Sequence, residues 1–248
     1  MKEIKTLSQG RFIDELLSIL RQRSFRDPLF DAMRTGRLSR DGAKTWALQA
    51  MIVVSQFTRF ISAIHANCPH RDAQALLAEN LWEEHGRGAE ERDHLSLAKR
   101  LARSLGASDE EINRAAPFPE TAAYINYCLK VTHDGSFIEG LTAIGVGIEY
   151  YIPKFFGALA DSFRSHYGLT LRDVEFLLVH VGEDEDHAAR ALEVIEAYTD
   201  SKEIKEKAKQ SLVGVIKAKR RFAQSLYQRL EVRSQKSEVR SRNKTTDH

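Results

Sequence analysis

Two histidines and an aspartate recur on one face of a predicted helix in the C-terminal third of the chain. His180, Asp184 and His187 are separated by four and then three residues, so their side chains project from the same side of a helix. The surrounding segment is rich in Leu, Val and Ala, which predicts that this side faces the protein core. Imidazole nitrogens and carboxylate oxygens together are ligands suited to iron, manganese or zinc. The pattern therefore predicts part of a buried metal site.

A site for two metal ions needs about six protein ligands from several helices, so further donors are required. Glu84 ends one predicted helix, His94 begins the next, and Glu149 lies among small and apolar residues, where an unpaired charge is costly. The predicted ligand set consists of Glu84, His94, Glu149, His180, Asp184 and His187. Its three carboxylates against two divalent cations leave a net charge of about +1, which a buried site can accept.

Each of these residues also has a purely structural interpretation. Glu84 could be an exposed residue at a helix end, the histidines could be core residues bonded to the backbone, and the acidic stretch around Asp184 could be a solvated patch. Glu91 competes with Glu84, because Glu91 and His94 have the E-x-x-H spacing of ferritin-like di-iron bundles. Glu91 ranks second, since it lies in a glycine-interrupted stretch. The six residues together predict a metal centre, because without one every residue would need its own purely structural role.

Helical periodicity dominates the segments that must position these residues, and no segment alternates as a strand bounded by hairpin turns does. A capping box at Ser136 opens a predicted helix that runs to Arg164. Further helices are predicted from Thr170 onward and over 201–230. The remaining residues, 231–248, are polar and predict a disordered tail.

The composition is that of a globular protein. The chain has 248 residues, of which 42% are hydrophobic and 29% charged, enough for a sizeable core. We predict a single helical metal-binding domain over 1–230. The net charge of +2 indicates neither nucleic acid nor a membrane surface as a partner, and no apolar run is judged long enough to cross a bilayer. Because the N-terminus lacks an apolar signal segment and the two cysteines show no disulfide pattern, we expect a cytoplasmic protein.

The order of the motifs resembles that of one protein family. N-x-x-x-E ending at Glu84 is followed by His94, by E-x-x-x-P from Glu149, by Y-G-L from Tyr167, and by H-x-x-x-D-x-x-H from His180. This series is similar to that of the heme-oxygenase-like di-metal oxidases, which are related in fold to pyrroloquinoline-quinone synthase and thiaminase-type proteins. All six ligand positions of that family are filled in this chain.

The resemblance implies an all-α, heme-oxygenase-like seven-helix bundle, often a homodimer, that holds two iron ions or iron with manganese. It implies that O2 is a co-substrate in the oxidation of a small molecule. The expected reactions are N-oxygenation and oxidative C–C cleavage of an amino-acid-like or fatty-acid-like substrate, with an external electron donor as an expected partner. A chlamydial member makes p-aminobenzoate from its own tyrosine, with a lysine as nitrogen donor. Those two positions fall near Phe30 and Leu159 here, so both reactive groups are missing.

The substrate is expected beside the metals, between facing helices. Candidate lining residues, which could equally be core packing, are Trp46, Phe57, Ile148, Tyr151 and Phe155. Candidate clamps for a substrate carboxylate are Arg59, Lys154 and Arg190. Two other functions compete with the oxidase. One is a metal-free enzyme of the quinone-synthase or thiaminase type that uses histidines as acids and bases. The other is a non-catalytic helical interaction protein, in which Glu149 would pair with an Arg or Lys.

Overall fold

The computed structural model of the protein describes residues 11–23 and 27–245, and their regular secondary structure is entirely helical. The prediction of an all-α protein is therefore confirmed for the described part of the chain. Residues 1–10 and 246–248, which include most of the N-terminal segment and the end of the predicted tail, lie outside the described residues.

The described α-helices vary widely in length. In chain order they are α1 (Arg11–Arg23), α2 (Pro28–Arg34), α3 (Arg40–Asn67), α4 (Arg71–Glu84), α5 (His94–Ser104), α6 (Asp109–Asn113), α7 (Pro119–His133), α8 (Phe137–Leu141), α9 (Ile152–Tyr167), α10 (Glu175–Tyr198) and α11 (Lys202–Thr245). Two 3₁₀ turns, Gly86–Gly88 and Glu90–Arg92, connect α4 to α5.

The buried apolar side chains form two clusters, one at each end of the bundle. The long helices α3, α10 and α11 contribute to both clusters. On α10, Leu177 belongs to one cluster and Ala191 to the other, so the predicted ligands between them lie at the junction. Burial of apolar area is the main force that assembles such a bundle. The polar centre is thus enclosed by two apolar cores that hold the same three helices in place.

Helix α3 corrects one sequence prediction. By length and composition it could cross a membrane, although the sequence analysis expected no run of that kind. In the fold α3 packs against α4, α5 and α7, and it supplies buried residues to both apolar clusters. Of its most apolar 18-residue window, 39% is buried, so these contacts cover part of its apolar surface.

The helix predicted from Ser136 to Arg164 is interrupted. After α8 the chain forms a π-helical turn over Thr142–Val146 and a 3₁₀ turn over Glu149–Tyr151, and α9 begins at Ile152. Turns of the π type inside helices occur frequently at functional sites. This irregular segment, 142–151, carries Glu149.

Two glycines let the irregular segment approach its neighbours closely. A Cβ atom on Gly145 would lie 2.6 Å from the Cβ atom of Ala191 on α10, and one on Gly147 would lie 2.3 Å from Val215 Cγ1 on α11. Both distances are too short for carbon atoms in contact, so a side chain at either position would push the helices apart. The role of these glycines is therefore close helix packing.

Two other helix boundaries differ from the predictions. The helix expected from Thr170 begins at Glu175, after a turn in which Asp173 accepts hydrogen bonds from the backbone and hydroxyl of Thr170. Helix α11 continues past residue 230 to Thr245, through most of the segment predicted as a disordered tail. That segment is polar, but it contains neither Gly nor Pro and so has no residue that would stop a helix.

Candidate metal centre

The six predicted ligand residues come together in the middle of the bundle, and all six are buried. They form two groups of three, and within each group one potential ligand atom per residue lies within 4.8 Å of the others. Triad A consists of Glu84, His94 and His180, and triad B consists of Glu149, Asp184 and His187. The His94 and His180 rings are 4.5 Å apart between centroids.

Triad A depends on the tight connection between α4 and α5. Glu84 is the last residue of α4 and His94 is the first residue of α5. Gly86 in the connection has a φ of 69°, and a Cβ atom there would lie 2.5 Å from the backbone nitrogen of Asp93. Asp93 then caps α5 by accepting a hydrogen bond from the Ser96 backbone at 3.0 Å. Glycine at this turn and the cap after it bring the two ligand residues face to face.

Two glutamates orient the outer nitrogens of two histidines. Nε2 of His94 donates to Glu183 at 3.2 Å, and Nε2 of His187 donates to Glu83 at 2.6 Å. Arg87 joins the two glutamates, since its Nη2 lies 2.7 Å from Glu83 and 3.2 Å from Glu183. Arg87 does so from a left-handed conformation with φ 54°, which non-glycine residues rarely adopt. Strain of this kind persists where surrounding contacts over-determine the backbone.

The third histidine has a different outer partner. Nδ1 of His180 donates to the carbonyl of Phe176 one helical turn earlier, at 2.7 Å. When a ring is neutral and its proton lies on the nitrogen that faces these partners, the other nitrogen of His94, His180 or His187 is free to bind a metal at the centre. That is the tautomer that a metal ion requires.

Several buried atoms of the centre lack a partner within the described part of the chain. They are Glu84 Oε1, His94 Nδ1, Glu149 Oε1, Asp184 Oδ2 and His187 Nδ1. His94 Nδ1 lies 2.8 Å from Glu84 Oε2, yet the pair lacks hydrogen-bond geometry. Buried polar atoms are rarely left without a partner, because the cost is high. Carboxylate oxygens and imidazole nitrogens without hydrogen-bond partners, gathered in one buried centre, are the atoms that a pair of divalent cations would bind.

The pKa values of the metal-free centre also indicate that it binds positive charge. Burial alone lowers the pKa of His94, but the carboxylates of Glu183 and Glu84 outweigh burial and raise that pKa to about 10. His187 behaves likewise, with Asp184 and Glu149 raising its pKa to about 9 against burial. The pKa of Glu149 is raised to about 8, chiefly by burial and then by repulsion from Asp184. The centre therefore takes up protons when no other cation is present.

The charges balance once the outer residues are included. Two divalent cations with the three inner carboxylates leave one positive charge. Glu83, Glu183 and Arg87 together add one negative charge, so the complete assembly is neutral. A neutral assembly suits a buried position far better than an isolated charge does.

The structure also separates the two competing glutamates. Glu84 is 4% exposed and belongs to triad A, whereas Glu91 is exposed and lies in the second 3₁₀ turn. The residues that sequence reasoning missed are the outer ones, Glu83 and Glu183. Each directly precedes a predicted ligand, so a search for acceptors beside the ligands would have found both.

A cavity of about 170 Å³ opens onto triad A, and Glu84, His180 and Asp184 form part of its wall. Most of the other lining residues are apolar or aromatic. Of the predicted lining residues, the cavity includes Trp46, Phe57, Ile148 and Phe155 but not Tyr151. Phe30 and Leu159, which stand near the tyrosine and lysine positions of the chlamydial relative, also line it.

None of the three predicted carboxylate clamps lines this cavity. Arg59 and Lys154 are exposed, and Arg190 pairs with Glu79 at 2.9 Å. The basic residue that does line the cavity is Lys219, which the sequence analysis missed. Its position was readable, because it continues the apolar series Leu212, Val215, Ile216, Phe222, Ala223 and Leu226 at helix spacing.

A second, much smaller cavity of about 30 Å³ reaches the other triad. Glu149 and His187 contribute to its wall, which is otherwise mostly apolar. A space of this volume holds one or two molecules the size of water. Both triads therefore reach the large cavity, triad B through Asp184, and only triad B reaches the small one.

Comparison with known proteins links this geometry to iron. The sequence profile of a family described as iron-containing redox enzymes matches residues 44–218, a range that includes all six centre residues. Two curated relatives are each named 4-aminobenzoate synthase. The one from Nitrosomonas europaea is 27% identical over 209 residues, which cover 79% of this chain and 83% of the relative. The one from Chlamydia muridarum is 25% identical over 228 residues, 91% of each chain.

Solved structures support the fold. A domain of unknown function with a heme oxygenase-like fold, from Shewanella denitrificans, matches with a TM-score of 0.72 at 13% identity. The match covers 89% of this chain and 92% of that domain. At this identity the likeness concerns the fold alone, and it confirms the predicted heme-oxygenase-like bundle.

Proposed function

Because this chain belongs to the family of iron-containing redox enzymes, and is thus an oxidoreductase, we propose that it is a non-heme di-iron oxygenase that oxidises a small organic substrate with O2. The observation that carries the proposal is the pair of buried triads, in which five carboxylate and imidazole atoms lack hydrogen-bond partners among the described residues. Iron with manganese would satisfy the same ligands.

The residues of the centre have two roles: some would bind the metal ions, and others orient the histidine ligands. Triad A would hold one iron ion and triad B the other, and Asp184 lies on the wall of the large cavity beside triad A. Glu83 and Glu183 keep two of the histidines in the tautomer that binds a metal. Two iron ions held there would supply electrons for the reduction of O2 and the oxidising power for the substrate. The apolar walls exclude water from the space where the substrate would lie.

The substrate would enter the cavity of about 170 Å³ as a separate molecule. The two relatives are named for 4-aminobenzoate synthesis, and the family resemblance connects that reaction with a tyrosine and a lysine of the protein itself. Near those positions this chain has Phe30 and Leu159, which offer neither a phenol nor an amine. We therefore favour N-oxygenation or oxidative C–C cleavage of an amino-acid-like or fatty-acid-like substrate.

A second candidate function rests on one observation. The cavity wall includes one tyrosine and one lysine, Tyr124 and Lys219, although on other helices than Phe30 and Leu159. Synthesis of 4-aminobenzoate from the protein itself would consume such a pair. Intact-mass analysis after iron loading and exposure to O2 separates the candidates, because consumption of Tyr124 lowers the mass of the chain and oxidation of a separate substrate leaves it unchanged.

Anaerobic loading with ferrous iron, followed by elemental analysis, tests the proposal. We expect close to two irons per chain, and loss of at least one in the variants His180→Ala and Glu149→Ala. The matched control is Glu91→Ala. Glu91 is an exposed glutamate, and it competes with Glu84 as a candidate ligand because of its E-x-x-H spacing to His94. Circular dichroism must show that each variant is folded. Full iron content in the ligand variants would overturn the assignment.

The competing functions make opposite predictions in the same experiment. A metal-free enzyme of the thiaminase or quinone-synthase type, and a non-catalytic interaction protein, would both stay folded and bind no stoichiometric iron. Among the described residues no Arg or Lys pairs with Glu149, which counts against an interaction protein that relies on such a pair. A homodimer, a cytoplasmic location and an external electron donor remain predictions.

A further inference from the structure

Among the residues that the structure describes, the wall of the large cavity includes one lysine and no arginine. Lys219 lies on α11, at the junction of the two apolar clusters, and lines the cavity that also reaches Glu84 and Asp184. Most of the remaining wall is apolar. A lysine in such surroundings costs folding free energy unless its ammonium group has a partner.

The ammonium group of Lys219 makes no hydrogen bond or ion pair with any residue that the structure describes. Its Nζ atom lies 5.8 Å from the centroid of the Phe155 ring, an orientation that supplies weak cation–π attraction. That contact satisfies none of the three N–H donors. Burial lowers the pKa of Lys219, and the nearby carboxylate of Asp27 opposes this effect.

Asp27 does not neutralise Lys219 directly. Its Oδ1 atom accepts hydrogen bonds from the backbone nitrogens of Leu29 and Phe30, at 3.0 and 3.1 Å, and so caps α2. No ion pair joins Asp27 to Lys219. The lysine therefore faces the cavity with unused donors, at a position where an anionic ligand would complete its hydrogen bonds.

We propose that Lys219 binds the carboxylate of the substrate, and that the substrate is a monocarboxylate with an apolar body whose reacting end lies away from the carboxylate. This proposal deepens the proposed function, since it names the substrate class and the binding direction in the same site. The rings of Phe30, Phe155 and Phe222 on the cavity wall would pack against the apolar body.

The binding direction follows from the distribution of charge. Glu84, His180 and Asp184 form the part of the wall that belongs to the metal centre. A ligand with its carboxylate on Lys219 directs its opposite end toward those residues. With two divalent cations bound, the centre has no net negative charge, so the direction is set by Lys219: the reversed direction leaves its ammonium group without a partner. The reaction is therefore expected at an atom remote from the carboxylate, which disfavours oxidative decarboxylation.

Binding of three matched probes to the full-length, metal-free protein tests this proposal. The probes are 3-phenylpropionate, 3-phenylpropan-1-ol and 3-phenylpropylamine, which share one apolar body and differ only in the charge of the terminal group. Trp46 lines the cavity and reports binding by fluorescence, and Trp82→Phe removes the background of the exposed tryptophan. Omission of metal ensures that a carboxylate cannot bind to iron instead.

We expect the carboxylate probe to bind at least about tenfold more tightly than the alcohol, as a charge-assisted hydrogen bond provides. In Lys219→Met, whose unbranched side chain is one atom shorter and uncharged, this preference should disappear while the alcohol binds as before. Lys217→Met, at an exposed position on the same helix, is the matched control and should keep the preference. Equal binding of carboxylate and alcohol in the unmodified protein, or a preference that survives in Lys219→Met, would overturn the proposal.

A second variant guards against misfolding of the first. Asp27→Asn keeps the cap on α2, because asparagine accepts the same backbone hydrogen bonds, and removes a negative charge near Lys219. It should strengthen binding of the carboxylate probe by a few-fold and leave the alcohol unaffected; unchanged binding would contradict the proposed position of the carboxylate. Because all of these measurements use metal-free protein, failure of iron loading would refute the di-iron proposal and leave this one standing.

Discussion

Triad A and triad B contain the same kinds of ligand atoms but are built differently. Glu84 and His94 of triad A come from the facing ends of two regular helices, and two of its histidine nitrogens are oriented by Glu183 and a backbone carbonyl. Triad B takes Glu149 from the irregular segment 142–151, and one outer residue, Glu83, orients its single histidine. Because the two triads are built differently, they need not bind their metal ions with equal affinity.

The protonation of the two triads differs as well. In triad B both Glu149 and His187 have raised pKa values, about 8 and about 9, so two protons compete with a metal ion near neutral pH. In triad A the corresponding competitor is His94, with a pKa of about 10. Glu84 and His180 of triad A line the large cavity, which Asp184 of triad B also reaches, whereas only triad B, through Glu149 and His187, lines the small one. We therefore expect triad A to bind the first iron and triad B to bind the second, weaker one.

The largest effect should come from removing one carboxylate ligand from each triad. Glu149→Gln should retain one tightly bound iron per chain, because triad A is left complete. Glu84→Gln should lose the tight iron, and the remaining iron should be removable by a mild chelator. Anaerobic titration with ferrous iron, followed by elemental analysis after gel filtration, measures both. If the two variants lose the same class of iron, the two triads are equivalent and the comparison fails.

The outer glutamates should give a smaller effect that is specific to one triad. Glu183→Gln should weaken the iron of triad A, and Glu83→Gln the iron of triad B, each by about 10- to 100-fold. The physical reason is that a neutral amide no longer favours the N–H tautomer of His94 or His187. Metal affinity measured by competition with a chelator distinguishes the two. An effect of either variant on both irons alike would show that the glutamates act through overall charge.

The stability of the metal-free protein should fall as the pH rises. His94 and His187 have folded-state pKa values above the ordinary value of 6.5, so their contribution is complete below that pH and is lost as the pH rises through 9 to 10. Glu149, raised from 4.5 to about 8, behaves in the same direction, and its contribution is lost between those values. Each pH unit over which one such proton is released costs about 1.4 kcal/mol.

Thermal unfolding of metal-free protein between pH 5 and 10 measures this dependence. Glu149→Gln should flatten the curve below pH 8, because the Glu149 proton is gone, and should flatten it less above pH 8, because the pKa of His187 is lowered but still raised by Asp184 and Glu83. A redox-inert divalent ion such as zinc should reverse the trend, since its binding displaces the same protons. A stability that rises with pH in the metal-free protein would contradict the raised pKa values.

Arg87 should have the smallest effect, and one shared by both triads. It bridges Glu83 and Glu183, but its side chain is about half exposed, so solvent screens the interaction. Arg87→Met should weaken both irons by only a few-fold. Arg87→Gly also relieves the left-handed backbone conformation, and it should therefore be more stable than Arg87→Met. A large effect on one triad alone would assign Arg87 to that triad.

Much of the fold and centre could be predicted because the information was local. The spacing of His180, Asp184 and His187 follows from helix geometry, and it places these residues on one buried face whatever the helix packs against. Glu149 could be singled out because a carboxylate among apolar residues needs a partner. The helix breaks were harder, since the π-helical turn lies where Gly145 packs closely against α10, a tertiary contact that local propensity does not contain.

What the sequence alone determined is the helical class, the identity of the six inner residues and their distribution over four segments. Tertiary packing decided everything that depends on helices distant in the chain. It made Glu83, which lies 104 positions before His187 in the chain, the partner of that ring. It also placed Glu84 in the centre and left Glu91 exposed, and it placed Lys219 on the cavity wall. The physical reason is that periodicity specifies which face of a helix is buried, whereas the neighbour of that face depends on how whole helices fit together.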